Sequence, residues 1–185
     1  HNPGGISNNS ETYNGTSWSE GNNLGSPADN AASAGVETAG VAFGGSPPAG
    51  GANNDTQEYN GTDWTEGNNL NTGRYAIGGS GTQTAALAAG GSPPGNTGSN
   101  LSEEYNGTSW TEGNNLGTAR YKTTQFGIQT AAVAAGGDTG PANVNNVEHY
   151  DGTSWTSATV YPSTLTFAAS AGSQTDGLVF LGDLG

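Results

Sequence analysis

Short apolar runs recur along the chain at a nearly constant spacing, and each of them stops at glycine. They read AGVAFGG (39–45), AALAAGG (85–91), AAVAAGG (131–137) and DGLVFLGD (176–183). Each run has the length of one β-strand and ends at residues typical of tight turns. Glycine, asparagine and threonine between the runs interrupt any 3.6-residue period, so the pattern predicts strands and no helices.

A second segment, polar and aromatic, recurs in step with the apolar runs. EYNGTSWTEGNNL (104–116) has close copies at 12–24 and 58–70 and a divergent copy at 149–161. Each copy places an Asn-Gly or Asp-Gly pair between Tyr and Trp, and this pair is the preferred two-residue turn of a β-hairpin. The sequence therefore predicts one hairpin per repeat whose arms carry the aromatic residues. These structural repeat positions are Tyr13, Trp18, Tyr59, Trp64, Tyr105, Trp110, Tyr150 and Trp155.

The tryptophans lie 46, 46 and 45 residues apart, a spacing in the range of propeller blades and of helical solenoids. Because helix formers are scarce, the propeller is favoured. One repeat is expected to hold strands near 30–37, 38–44, 55–59 and 62–70, and the others hold them at equivalent positions. The predicted repeats span about 25–70, 71–116, 117–161, and 162–185 joined with 1–24, within a single domain 1–185.

A strand ending in Gly90-Gly91, the turn Tyr105-Asn106-Gly107, Trp110 and an Arg120 that opens the next unit together resemble the kelch repeat. The resemblance covers essentially the whole chain. It implies a β-propeller with one four-stranded antiparallel blade per repeat, as in galactose-oxidase-like domains. The glycine-rich repeat sequence, which contains TAALA, is also similar to repeats in predicted structural proteins of marine phages.

The expected fold is therefore all-β: a four-bladed kelch-like β-propeller with four antiparallel strands per blade. The chain starts just before a Tyr strand and ends just after a glycine-terminated strand. One blade is thus expected to be completed by the N- and C-terminal strands. Joining within the chain would close a ring, and this arrangement is favoured. Joining between chains would give a head-to-tail fibre instead, because a heterologous contact that does not close grows indefinitely.

Composition narrows the classes of function. The net charge is −13 with only three basic residues, so no basic stripe is available for nucleic acid. No apolar run approaches the length of a membrane span, so no membrane insertion is expected. Cysteine is absent, which excludes the cysteine–tyrosine cofactor of galactose oxidase, and no nucleophile-elbow sequence occurs. No enzyme activity, catalytic residue, metal or cofactor is expected.

Three Asn-Gly-Thr triplets are formal acceptors for N-glycosylation, at Asn14, Asn60 and Asn106. The alternative is that asparagine is present for the turn and threonine for the strand. Asp151 in the same position of the fourth copy favours this alternative, because aspartate makes the turn but cannot carry the glycan.

Two classes of function remain. The first is a structural or adhesive protein, extracellular or on a virion, that self-associates or binds other structural subunits of a filament or appendage. The second is a discrete module for surface glycans, for which aromatic residues outside the repeat positions, Phe126 and Tyr161, are candidate stacking platforms. The most divergent stretch, VYPSTLTF (160–167), is where an asymmetric contact is expected.

Overall fold

The structure is a computed structural model that describes residues 5–95 and 97–183, and over this part the chain is all-β. It holds sixteen strands and no helix that is long and apolar enough to cross a membrane. The strands are β1 (Glu11–Tyr13), β2 (Trp18–Glu20), β3 (Ala32–Val36), β4 (Ala39–Phe43), β5 (Thr56–Tyr59), β6 (Trp64–Glu66), β7 (Gly78–Thr82), β8 (Ala85–Ala89), β9 (Ser102–Tyr105), β10 (Trp110–Glu112), β11 (Thr124–Ile128), β12 (Ala131–Ala135), β13 (Val147–Tyr150), β14 (Trp155–Ser157), β15 (Ala169–Gly172) and β16 (Gly177–Phe180).

Twelve of these strands form three antiparallel four-stranded sheets, each a simple meander in chain order. We name β3–β6 the first blade, β7–β10 the second blade and β11–β14 the third blade. The pair β1–β2 is the N-terminal half-blade and the pair β15–β16 is the C-terminal half-blade. The predicted all-β class is thereby confirmed, and four antiparallel strands per repeat are confirmed for the three complete blades, in which each glycine-terminated run forms the second strand.

The blades stack in chain order through their first strands: β3 packs on β7, β7 on β11, and β11 on β15. A row of backbone hydrogen bonds follows the same order. Ala76 N donates to Asn30 O at 2.8 Å, Lys122 N to Ala76 O at 2.8 Å, and Phe167 N to Lys122 O at 3.2 Å. The blade-to-blade contact is therefore one motif used repeatedly.

The expected joining of the terminal strands within the chain is not formed in this structure. β1–β2 and β15–β16 are separate two-stranded sheets, and within the described ranges no backbone bond links Asn30 back to Phe167. Repeating one contact closes a ring only when the rotation per step divides a full turn. Each half-blade therefore keeps an open strand edge in this structure.

The hydrophobic core lies between neighbouring blades. Phe43 and Leu70 of the first blade pack with Ala86, Tyr105 and Trp110 of the second. On the second strands of the second and third blades, five alanines are fully buried, and this lets the sheets approach closely: Ala86, Ala88, Ala89, Ala132 and Ala134. An apolar composition of only 31% is sufficient for a core of this kind, because each blade buries one small face against the next.

The predicted two-residue Asn-Gly turn is wrong, since four residues connect the aromatic arms. Tyr59 pairs directly with Trp64, and Asn60 N donates to Asp63 O at 3.1 Å. The Asn60 side-chain oxygen accepts two further backbone N–H bonds, at 2.9 and 2.8 Å, and only Gly61 has positive φ (92°). The asparagine thus stabilises the loop through its carboxamide and not through a left-handed backbone.

The Trp strands are also shorter than predicted, three residues where 62–70 suggested nine. After β6 the chain leaves the ladder, although Gly67 N still donates to Thr56 O and Leu70 N to Asn54 O, both at 2.9 Å. The Gly-Asn-Asn sequence lacks the β-branched and aromatic residues that keep a strand regular.

Candidate functional site

A glutamine bridges each pair of neighbouring blades at the hairpin between the first and second strands. Gln83 Nε2 donates to Gly40 O at 3.0 Å and to Tyr59 O at 2.7 Å. Both carbonyls belong to the preceding blade, one on its second strand and one on its third. The same two bonds recur from Gln129 to Ala86 and Tyr105, and from Gln174 to Ala132 and Tyr150.

Tyrosine and glutamate side chains join the blades further out. The Tyr105 hydroxyl donates to Glu58 of the first blade, and the Tyr150 hydroxyl donates to Glu104 of the second. Burial raises the pKa of Tyr105 and of Tyr150, and the bonded carboxylates raise each further. Both phenols therefore remain protonated donors. The position of this glutamate is held by Thr12 in the N-terminal half-blade and by His149 in the third blade.

Two arginine–glutamate ion pairs lie inside the blades. Arg74 Nη2 and Glu103 Oε1 are 2.8 Å apart, as are Arg120 Nη1 and Glu148 Oε1, and all four side chains are buried. Burial lowers the pKa of each arginine, and the neighbouring carboxylate opposes that shift. The glutamate position is held by Gln57 in the first blade.

The two half-blades present aromatic and apolar side chains that the complete blades bury. Trp18 is 70% exposed, whereas Trp110 in the equivalent position is 6% exposed. Tyr13 is exposed too, and yet the Tyr13–Trp18 ring pair keeps a 5.1 Å separation, close to the 4.9 Å of Tyr105–Trp110. The N-terminal half-blade is therefore already formed, and it lacks a first and second strand beside it.

The C-terminal half-blade has the opposite deficit. Its strand β16 pairs only with β15, so the other edge of β16 is open. Leu178 on this strand is 61% exposed, and Phe180 and Leu181 are exposed as well. Leu87 and Val133, which occupy the position of Leu178 in the second and third blades, are buried. An open strand edge lined with apolar side chains is a pairing surface.

A cavity of about 630 Å³ lies between the first strands of the blades and the N-terminal half-blade. Trp18, Trp64 and Phe126 are among the residues on its wall, together with backbone of β3, β7, β11 and β15. Phe126, a candidate stacking platform from the sequence, thus reaches the cavity. Tyr161 is not among the residues that line it.

The glycosylation candidates Asn14, Asn60 and Asn106 are all exposed at the outer loops. In each, the side-chain oxygen accepts the backbone N–H groups two and three residues later. Asp151 accepts the same two bonds. The carboxamide therefore has a structural role that aspartate fulfils equally well, whether or not a glycan is attached.

We expect Asn106→Ala to lower the free energy of unfolding by about 1 kcal/mol, because two loop N–H groups lose their acceptor. Asn106→Asp keeps the acceptor and should be nearly neutral, while it removes the glycan acceptor. Urea denaturation of both variants measures the difference, and intact mass of the natural material reports any glycan. Equal losses in the two variants would contradict the role of the side-chain oxygen.

Sequence reasoning singled out the aromatic and arginine positions but missed the glutamine bridges. The signal was present as TQTAA (82–86), IQTAA (128–132) and SQTDG (173–177), with VETAG (36–40) as the variant copy. Comparisons with known proteins add no relative: no protein-family model matches the chain, and no curated protein matches it.

Proposed function

We propose that the protein is a non-enzymatic structural or adhesive subunit of an extracellular filament or virion appendage, and that its copies join head to tail through the two half-blades. The observation that carries the proposal is the complementarity of the open ends. The C-terminal half-blade supplies a first and second strand, and the N-terminal half-blade supplies a third and fourth. Together they would complete the fourth blade of a kelch-like propeller repeat.

The register of that joined blade follows from the complete ones. Gly40 pairs with Tyr59, Ala86 with Tyr105, and Ala132 with Tyr150. The equivalent residues of the half-blades are Gly177 and Tyr13. With these two opposite each other, β16 and β1 form an antiparallel ladder in which Leu178 faces Thr12 and Val179 faces Glu11.

A second copy fits these ends better than the chain's own opposite end. The first-strand contact is repeated from the first blade to the C-terminal half-blade, and after these steps the two half-blades still form separate sheets. A repeated heterologous contact that fails to close propagates. Joining copies therefore extends the same stack of blades and buries both open edges, with no new type of contact.

Leu178→Lys tests the proposal. In the single chain Leu178 is exposed, so the substitution should change the free energy of unfolding by no more than about 0.5 kcal/mol. In a joined blade it would place an ammonium group where Leu87 and Val133 are buried, and we expect assembly to be lost. Ile128→Lys, on an exposed residue of the complete third blade, is the matched control and should assemble normally.

Sedimentation velocity and negative-stain electron microscopy of the purified full chain provide the readout. Filaments or oligomers of the unmodified protein that disappear in Leu178→Lys support the proposal. A protein that stays monomeric at all concentrations and is destabilised by Leu178→Lys would show closure within the chain. A protein that stays monomeric and is unaffected by the substitution would leave no role for the open edges.

A glycan-binding module is the second candidate, favoured by the cavity of about 630 Å³ with Trp18, Trp64 and Phe126 on its wall. Aromatic faces of this kind stack on sugar rings. A glycan array with the full chain tests this function, and binding should be weakened by Phe126→Ala. In a head-to-tail assembly Trp18 would be covered, so binding by the monomer alone would favour the glycan module.

A further inference from the structure

The glutamine that bridges neighbouring blades is replaced by Glu37 in the first blade. Gln83, Gln129 and Gln174 each reach two carbonyls of the preceding blade, and each is half-buried. Glu37 stands in the same hairpin position between β3 and β4, and it is exposed. The blade that would precede the first blade is the one formed when two copies join. Glu37 therefore faces the junction between copies.

We propose that Glu37 is the residue that controls this junction: while ionised it weakens the head-to-tail contact, and its protonation strengthens it, so the assembly forms preferentially in acid. This inference rests on the proposed function. It assigns one side chain the regulation of the same interface. The three equivalent contacts between neighbouring blades of one chain all use glutamine, so this control by protonation does not act on them.

The chemistry follows from the donors and acceptors available. The carbonyls equivalent to those of Gly40 and Tyr59 are the ones of Gly177 and Tyr13 in the joined blade. A glutamine amide offers them two N–H donors, whereas a carboxylate is acceptor-only and faces two acceptors without a bond. A protonated carboxyl group carries one O–H donor and can bond one of them. Buried polar groups left unpaired are costly, so the protonation state decides the contact.

Other charged groups at the junction do not compensate for Glu37. Glu11 on β1 lines the cavity of about 630 Å³, as Glu37 does, and Asp176 lies in the β15–β16 hairpin. All three basic residues of the chain are already engaged, Arg74 with Glu103, Arg120 with Glu148, and Lys122 with Asp138 at 2.9 Å. Among the residues that the structure describes, a carboxylate at this junction thus meets further carboxylates and no lysine or arginine without a partner.

Two positions of the junction reinforce this pattern. Leu165, buried, holds the arginine position of the C-terminal half-blade, so Glu11 would enter the joined blade without the partner that Glu103 and Glu148 have. His149 occupies the glutamate position that would face the hydroxyl of Tyr13 from the third blade. A comparison of variants that share both groups cancels their contribution.

The test compares the unmodified chain with Glu37→Gln. The protein concentration at which assembly begins is measured by sedimentation and light scattering at about pH 7 and about pH 4, the interval in which a glutamate in water takes up its proton. At about pH 7 we expect Glu37→Gln to assemble at a concentration at least about tenfold lower, because one hydrogen bond to the other copy is gained and an unpaired carboxylate is removed from the junction. At about pH 4 the ratio should fall towards one.

Gln129→Glu places the same chemistry at an internal contact, where unfolding of the monomer is the readout. We expect a lower urea midpoint at about pH 7 and a smaller loss at about pH 4. Equal assembly of the unmodified chain and Glu37→Gln at both pH values overturns the inference and leaves the proposed function standing. A Gln129→Glu chain as stable as the parent overturns it as well. Absence of assembly under every condition overturns the proposed function itself.

Discussion

Glu148→Gln is expected to lower the free energy of unfolding by about 3 kcal/mol or more. The carboxylate binds Arg120 at 2.8 Å and accepts the backbone N–H groups of Gly117 at 2.6 Å and Thr118 at 3.3 Å. An amide can supply one acceptor oxygen here, but its NH₂ group must face donors. Arg120, fully buried, would be left with a charge that water cannot reach.

Adding Arg120→Leu should recover part of this loss. The same chain already uses leucine in the arginine position, as Leu165, and glutamine in the glutamate position, as Gln57, both buried. The double variant removes the unpaired charge and fills the space with an apolar side chain, a replacement that is often neutral or stabilising. Urea denaturation of the four proteins gives a double-mutant cycle. Additive losses, with no recovery in the double variant, would contradict a buried ion pair that acts as a unit.

The strand pattern was predictable because it depends on local chemistry. Apolar runs of strand length that stop at glycine leave few alternatives, and the strand predicted near 84–90 is β8, Ala85–Ala89. The loop after Tyr59 was mispredicted for the same local reason, since Asn-Gly suits both a two-residue turn and a four-residue loop. The deciding bonds from the Asn60 side chain become visible only in three dimensions.

The features that define the candidate site depend on distant contacts. Arg74 and Arg120 were recognisable as a repeated position, but their partners Glu103 and Glu148 lie 29 and 28 residues further on, and only the strand register brings them together. No interpretation of Gln83 followed from the sequence, because its two acceptors belong to the preceding blade. Whether the ends meet depends on the rotation at each blade contact, a quantity that no short motif encodes.

The second large effect is expected for Trp110→Ala, with a loss of about 3–5 kcal/mol in the free energy of unfolding. The ring of Trp110 is 4.8 Å from Phe43 and 4.9 Å from Tyr105, and its indole N–H donates to Thr56 Oγ1 at 2.9 Å. Removing the ring leaves a cavity between the first and second blades and an unpaired threonine hydroxyl. Chemical denaturation of dilute protein measures the loss.

Trp18→Ala is the matched control, because Trp18 occupies the same repeat position and is 70% exposed. In dilute solution it should cost no more than about 0.5 kcal/mol. At concentrations that support assembly it should weaken association strongly, since the joined blade would bury Trp18 as Trp110 is buried now. A Trp18→Ala monomer that loses as much stability as Trp110→Ala would mean that the half-blades already meet within one chain. The two tryptophans thus separate a closed propeller from an open, extendable stack by one substitution made at two places.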